Sequence, residues 1–338
     1  MNELSLPMLA PEDFDTDQEV RWCPGCGDYS VLAQMKQVLA GTGVPREKIV
    51  IVSGIGCAGR VTYYLDAYGF HGVHGRAPAF ATGIKLANPD LQVWVVLGDG
   101  DGLSAGANHL LHALRRNVDL KIVLVNNEVL GLARGQYSST SRLGTRTKTS
   151  PEGSFETPLR AISVALAAEA TFVARTLDVE ANHLAETLRR AAAHKGGAFV
   201  EIYQNCKIYN DGVFEFATDR STKADAAIFL EQGRPLLFGK DRNQGIRLSG
   251  FDPEVVEMNG AVPIDDLIMH DEKAEQPTLA FVLSRLTGPE FPECFGVFRN
   301  VSRPSFDEQV MGRITAAKKA GTPSLQALLD GDEAWTAE

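Results

Sequence analysis

Apolar and polar positions along this chain switch between two periods. Residues 30–39 place Val31, Leu32, Met35, Val38 and Leu39 on one side at helical spacing, and Gly41 and Gly43 follow as stop signals. Residues 49–52 are an unbroken β-branched run, which predicts a buried strand. Strands are also predicted over 93–97, 121–125, 171–174 and 198–203. Helices are predicted over 79–87, 103–116, 158–170 and 179–194. Strands alternating with helices imply a mostly parallel sheet covered on both faces, a doubly wound α/β fold. Ligands of such sheets bind at the carboxyl ends of the strands. After about Tyr209 the repeat fades, and Gly233, Pro235, Gly239 and Gly250 mark loops. The reading is therefore an acidic, irregular arm (1–20), an α/β domain (21–209) and an irregular C-terminal extension (210–338).

Composition narrows the class. The 338 residues are 44% hydrophobic and 22% charged with a net charge of −10. That balance is ordinary for a globular protein and argues against a nucleic-acid partner. No apolar run approaches the ~20 residues of a membrane helix. The first nineteen residues lack a basic segment followed by an apolar one, so no secretory leader and a cytoplasmic setting are expected. Five scattered cysteines do not look like a disulfide framework.

Chemistry concentrates at the predicted strand ends. The strand at 93–97 runs into Gly98-Asp99-Gly100-Asp101-Gly102, and the next one ends at Asn126-Asn127. Gly100 and Gly102 lack a Cβ and let the backbone approach a phosphate, which a helix N-terminus favours. A carboxylate at Asp99 beside that phosphate needs a cation between them. Asp99, the Asn127 amide oxygen and the Val129 carbonyl are oxygen ligands suited to Mg²⁺. This is the pattern of a thiamine-diphosphate site; the bland alternative is a tight turn beside an Asn-rich strand end. Cys23 and Cys26 form a Cys-x-x-Cys knuckle, Cys57 lies in a glycine-rich loop, and Cys206 follows the strand at 198–203. Four thiolates meeting at one rim suit tetrahedral zinc or a [4Fe–4S] cluster, and two single, distant ligands favour the cluster. Cys294, between Phe291 and Phe295, is expected to be packed.

The chain resembles the β subunits of the 2-oxoacid:ferredoxin oxidoreductases. The matching stretches are Trp22 to Tyr29, Gly54 to Arg60, His74 to Ala77, Ala81 to Asn88, Gly98 to Asp101, Arg115 to Asn117, Asn126-Asn127, Gly135-Gln136 and Cys206. Gly296 to Arg299 and Arg303-Pro304 look like the family's tail, closest in wording to the 2-oxoglutarate branch. The resemblance implies that Cys23, Cys26, Cys57 and Cys206 hold one [4Fe–4S] cluster and that Asp99, Asn127 and Val129 bind Mg²⁺. It implies that Ile55, Gly56, Cys57, Ala58, His74, Gly98, Gly100 and Asp101 line thiamine diphosphate. Departures from the family's wording fall at Ala58, Leu130 and Arg134.

The implied reaction is coenzyme A-dependent oxidative decarboxylation of a 2-oxo acid to acyl-CoA and CO₂. Electrons pass to ferredoxin, and the reverse is a reductive carboxylation. The favoured substrate is 2-oxoglutarate, with pyruvate and branched-chain 2-oxo acids as alternatives. Arg134 is the candidate partner of a substrate carboxylate, Arg60 and Arg76 its substitutes, and His74 a candidate cofactor contact. Lys85 is expected to be structural. The pyrimidine-binding half is absent from the chain, and the family places it on an α subunit in an (αβ)₂ assembly. The competing readings are a non-redox thiamine-dependent decarboxylase or carboligase and a zinc-stabilised interaction protein.

Overall fold

The apolar runs pair side by side at the centre of the molecule. A computed structural model describes residues 9–321, 324–331 and 335; residues 1–8 of the expected arm lie outside these. The strands β1 (Ile49–Ser53), β2 (Tyr68–His71), β3 (Gln92–Gly98), β4 (Lys121–Asn126), β5 (Phe172–Leu177) and β6 (Ala198–Tyr203) are mutually parallel, in the order β2-β1-β3-β4-β6-β5. Alternate residues serve opposite faces, as the pleat requires. Val93, Val95 and Leu97 join the core under helices α2 (Ala77–Ala87), α3 (Ala107–Arg115) and α4 (Ala161–Ala167). Trp94 and Val96 join the core under α1 (Asp28–Gly41) and α5 (Ala181–Ala193).

Two differences from the sequence reading have physical causes. The loop expected at 71–77 is preceded by β2, an exposed edge strand whose four residues, Tyr-Gly-Phe-His, are too short a run to announce it. The C-terminal extension is also more regular than its sequence suggests. It forms β7 (Ala227–Phe229), a small antiparallel sheet of β8 (Leu237–Phe238), β9 (Gln244–Ser249) and β10 (Asp252–Glu257), and then β11 (Glu293–Asn300). Strand β11 pairs antiparallel with β5 and carries β7 on its other side, so the main sheet has eight strands. Two features disguise β11 in the sequence. Gly296 sits at φ +116° and the register shifts between Val297 and Arg299. Arg299 is fully buried in an otherwise apolar run; its two terminal nitrogens donate to Glu169, the Ala170 carbonyl and the Glu275 carbonyl at 2.9–3.1 Å, and its Nε has no partner among the described residues.

The amino ends of the strands, opposite the ligand edge, carry buried charge. Lys85 and Lys121 flank Asp119 at 2.9 and 2.6 Å, so Lys85 is structural, as expected. His194 bonds the Thr171 hydroxyl at 2.8 Å. Burial, then the charge of Lys121, pushes its imidazole down to about 4. The unfolded chain takes up a proton below the ordinary histidine value of about 6.5 while the folded chain does not. Stability is therefore lost as pH falls from about 6.5 towards about 4. Thermal melts across that window should fall more steeply for the parent chain than for His194→Gln; equal slopes would exclude His194 as the cause.

Candidate active site

Neighbouring strands bring the two motifs to one edge. Gly98 on β3 pairs with Val125 on β4, so Asp99 and Asn127 leave adjacent strands at the same rim. The helix after β3 starts at once, with a π-helical turn over Asp101–Ala105 before α3, not at residue 103. Asp99 is 2% exposed. Its Oδ2 accepts hydrogen bonds from Ser138 Oγ at 2.5 Å and Thr140 Oγ1 at 2.6 Å. Burial raises its pKa, and the two hydroxyls pull it back. No lysine or arginine pairs with Asp99 among the described residues. A buried carboxylate answered only by neutral donors is costly unless a cation joins it, which fits a Mg²⁺ ligand. Asn127 donates from Nδ2 to Gln204 Oε1 at 2.9 Å, and its Oδ1 accepts the Val129 N–H at 3.2 Å. The Val129 carbonyl accepts one bond, from the Gly131 N–H. Each of these oxygens has a second lone pair to give.

Asp101, expected to line the cofactor, also holds two loops together. It is 2% exposed, and its Oδ1 accepts from the Ile55 N–H at 3.2 Å, the Gly75 N–H at 2.7 Å and His74 Nδ1 at 2.5 Å. One carboxylate thus ties the loop after β1 to the loop before α2. Its other oxygen is buried without a partner. Gly54 makes the knot possible, because a Cβ there would lie 1.8 Å from that oxygen. Gly100 and Gly102 have a packing role as well. Their missing side chains make room for Leu130 and Leu124, which a Cβ would meet at 2.2 and 2.7 Å. The early helix start turns these two glycines towards the core. Gly56, at φ +129°, and Gly98 instead face open space. Ile55 is 38% exposed beside them, whereas Ala58 is buried.

The cysteines gather at the same rim. Trp22 Nε1 donates to the Cys57 carbonyl at 2.9 Å, fastening the knuckle to the β1 loop. A Cβ on Gly131 would lie 3.6 Å from both Cys57 Sγ and Cys206 Sγ, so these sulfurs flank the loop that carries Val129. Burial, then the charges of Asp28, Cys206 and Cys23, pushes the Cys57 thiol up to about 11. Burial, then Asp28, also raises Cys26, which feels Cys57. Asp28, buried under the knuckle, is itself pushed up to about 7 by burial. Cys57 is thus electrostatically coupled to each of the other three thiols. Among the described residues no three His, Cys, Asp or Glu side chains converge tightly enough for a single metal ion. Cys294 is fully buried on β11, as expected.

The candidate basic residues are scattered. Arg134 is exposed at φ +65°, and its side chain has no ion pair among the described residues. The His74 side chain is 43% exposed above Asp101. Arg76 contacts His109, and Arg60 lies near enough to Cys57 to lower its pKa. Ser138, Thr140, Gly131 and Gln204 were absent from the sequence reading. The run Ser138-Ser139-Thr140-Ser141 after the Asn-Asn turn was a usable signal; Gln204 gave none. A cavity of about 670 Å³ adjoins the site behind Asn126, Glu128 and Thr140, closed by residues of the extension such as Phe216 and Glu293. No helix is long and apolar enough to cross a membrane among the described residues.

Comparisons with known proteins converge. The family described as "Thiamine pyrophosphate enzyme, C-terminal TPP binding domain" matches residues 54–202. The chain is 49% identical over 331 residues to the 2-oxoglutarate oxidoreductase subunit KorB of Mycobacterium tuberculosis, covering 97% of this chain and 88% of that protein. It is 45% identical over 192 residues to the 2-oxoacid:ferredoxin oxidoreductase subunit beta of Saccharolobus solfataricus, covering 56% of this chain and 63% of that one. A solved structure of the 2-oxoglutarate:ferredoxin oxidoreductase from Magnetococcus marinus, with 2-oxoglutarate, coenzyme A and succinyl-CoA bound, superposes with a TM-score of 0.75 at 29% identity. It covers 95% of this chain and 94% of that one.

Proposed function

The chain belongs to the β subunits of the 2-oxoacid:ferredoxin oxidoreductases, and on that premise we propose that it is the cofactor-binding half of a cytoplasmic 2-oxoglutarate:ferredoxin oxidoreductase. Its reaction joins 2-oxoglutarate and coenzyme A as succinyl-CoA, releases CO₂ and delivers the electrons to ferredoxin. Asp99, Asn127 and the Val129 carbonyl hold Mg²⁺ against the diphosphate. Cys23, Cys26, Cys57 and Cys206 hold a [4Fe–4S] cluster. Bound thiamine diphosphate supplies the electron sink for loss of CO₂, and the cluster carries electrons one at a time.

The chain's own residues set the frame for this chemistry. Ser138 and Thr140 fix the rotamer of Asp99. Asp101 holds His74 and the Ile55 loop in one orientation. Arg134, unpaired and exposed, is offered to a substrate carboxylate, which an arginine grips through two hydrogen bonds. An α subunit completes the site and the (αβ)₂ assembly, because the loops around Ile55 and Gly56 are open to solvent.

One observation carries this reading. Gly131 faces the sulfurs of Cys57 and Cys206 two residues after Val129, so cluster and metal anchors share a loop. Neither competing reading accounts for that: a non-redox carboligase has no use for the thiols, and a zinc protein none for Asp99. The test is anaerobic purification of the chain with its α subunit, followed by rates with 2-oxoglutarate, pyruvate and a branched-chain 2-oxo acid. Iron, sulfide and coenzyme A-dependent reduction of ferredoxin, fastest with 2-oxoglutarate, are expected. Arg134→Ala should raise KM for 2-oxoglutarate more than for pyruvate. A colourless protein would overturn the assignment of the cysteines.

A further inference from the structure

Among the described residues, the Gln204 side chain hydrogen-bonds to a member of each group of anchors. It is 1% exposed at the end of β6 and was not among the expected site residues. Its Oε1 accepts from Asn127 Nδ2 at 2.9 Å. Its Nε2 donates to Cys26 Sγ at 3.2 Å and to the Asn205 carbonyl at 2.7 Å. Its backbone N–H donates to the Asn126 carbonyl, which extends the β4–β6 ladder and pins the residue in place. The amide has one workable orientation. Turned over, it would set its NH₂ against the Asn127 NH₂ and its oxygen against a carbonyl. The knuckle is shaped for this contact: a Cβ on Gly27 would stand 2.9 Å from Gln204 Cγ.

We propose that Gln204 is a positioning residue that joins the cluster and the Mg²⁺–diphosphate anchor into one unit, donating to the Cys26 sulfur and fixing the Asn127 amide. The proposal rests on the cofactor assignment above. An N–H aimed at a cluster sulfur stabilises the added electron, so it makes the cluster easier to reduce. A partner that orients a metal ligand typically governs about 10- to 100-fold in affinity. One side chain thus sets a potential on one side and a binding constant on the other.

Two substitutions separate these roles in the αβ complex. Gln204→Leu removes both contacts. Gln204→Glu keeps an acceptor for Asn127 and loses the donor to sulfur. The readouts are iron and sulfide content, the cluster's midpoint potential by redox titration, and Mg²⁺-dependent thiamine-diphosphate binding by calorimetry. Gln204→Leu should shift the potential to more negative values and weaken cofactor binding about 10- to 100-fold. Gln204→Glu should shift the potential in the same direction and keep most of the affinity. An unchanged potential and affinity in Gln204→Leu would overturn the proposal. So would a Gln204→Glu protein that loses as much affinity as Gln204→Leu at an unchanged potential. If neither variant assembles its cluster, cluster-free parent complex is the reference, and equal affinity for Gln204→Leu overturns the link. Absence of iron from the parent complex would instead overturn the functional reading beneath it.

Discussion

Asp99→Asn should abolish turnover without weakening the cofactor-free fold. Asp99 is buried, and its side-chain partners among the described residues are the neutral hydroxyls of Ser138 and Thr140. With Mg²⁺ present, the carboxylate answers a divalent cation; replacing it leaves that cation underpaired in a dry site. Breaking a buried charge pair costs about 3–5 kcal/mol, which is on the order of 10²- to 10⁴-fold in affinity for the Mg²⁺–diphosphate. Without the cation the sign reverses. Burial raises the pKa of Asp99 in the folded chain, so the ionised form opposes folding at pH values above the ordinary carboxylate range. A neutral amide avoids that penalty, and its oxygen can still accept from both hydroxyls. Calorimetry with thiamine diphosphate and Mg²⁺ should show the lost binding, and cofactor-free melts should show an equal or higher Tm. A matched fall in Tm and in binding would mean that Asp99 is a structural acid, and the metal assignment would go with it.

That divergence of function from stability explains what the sequence displayed. A carboxylate between glycines, an Asn-Asn strand end and a Cys-x-x-Cys knuckle contradict ordinary packing, so they stand out against apolar runs. The five buried parallel strands β1, β3, β4, β5 and β6 were equally visible, because both faces are covered and the runs are continuous. Strand β11 was hidden by a left-handed glycine and a buried arginine in its middle. Ser138 and Thr140 left a trace only as part of a hydroxyl-rich run, and Gln204 left none. Their types are common in loops, and only the fold brings them within 2.5–3.2 Å of Asp99 and Cys26. Asp101 was located as a cofactor contact, and the fold adds a part that the sequence did not display: at the π-helical turn its Oδ1 receives three hydrogen bonds from two loops. Chemistry was legible where a residue type is costly by itself, and illegible where its partner comes from far along the chain.

The cysteine assignment has its sharpest test at Cys23. Cys57 and Cys206 flank the Val129 loop, and Cys26 is tied to Gln204 and Asp28. Replacing any of those three would disturb the diphosphate side together with the cluster. Cys23 is exposed, and its thiol makes no hydrogen bond among the described residues. Cys23→Ala therefore removes one thiolate and little else; surface substitutions away from such networks usually change stability within about 0.5 kcal/mol. The expected result is an αβ complex that folds and binds thiamine diphosphate with Mg²⁺ as the parent does, yet loses its brown colour and most of its iron and sulfide. Ferredoxin reduction should fall below detection, because single-electron transfer has no carrier without the cluster. Iron and sulfide assays beside cofactor calorimetry read the two halves separately. A Cys23→Ala complex with full iron content and undiminished ferredoxin reduction would exclude Cys23 as a ligand. The cluster would then need a fourth ligand from outside this set, since Cys294 is buried on β11, a strand that the extension adds beyond β5.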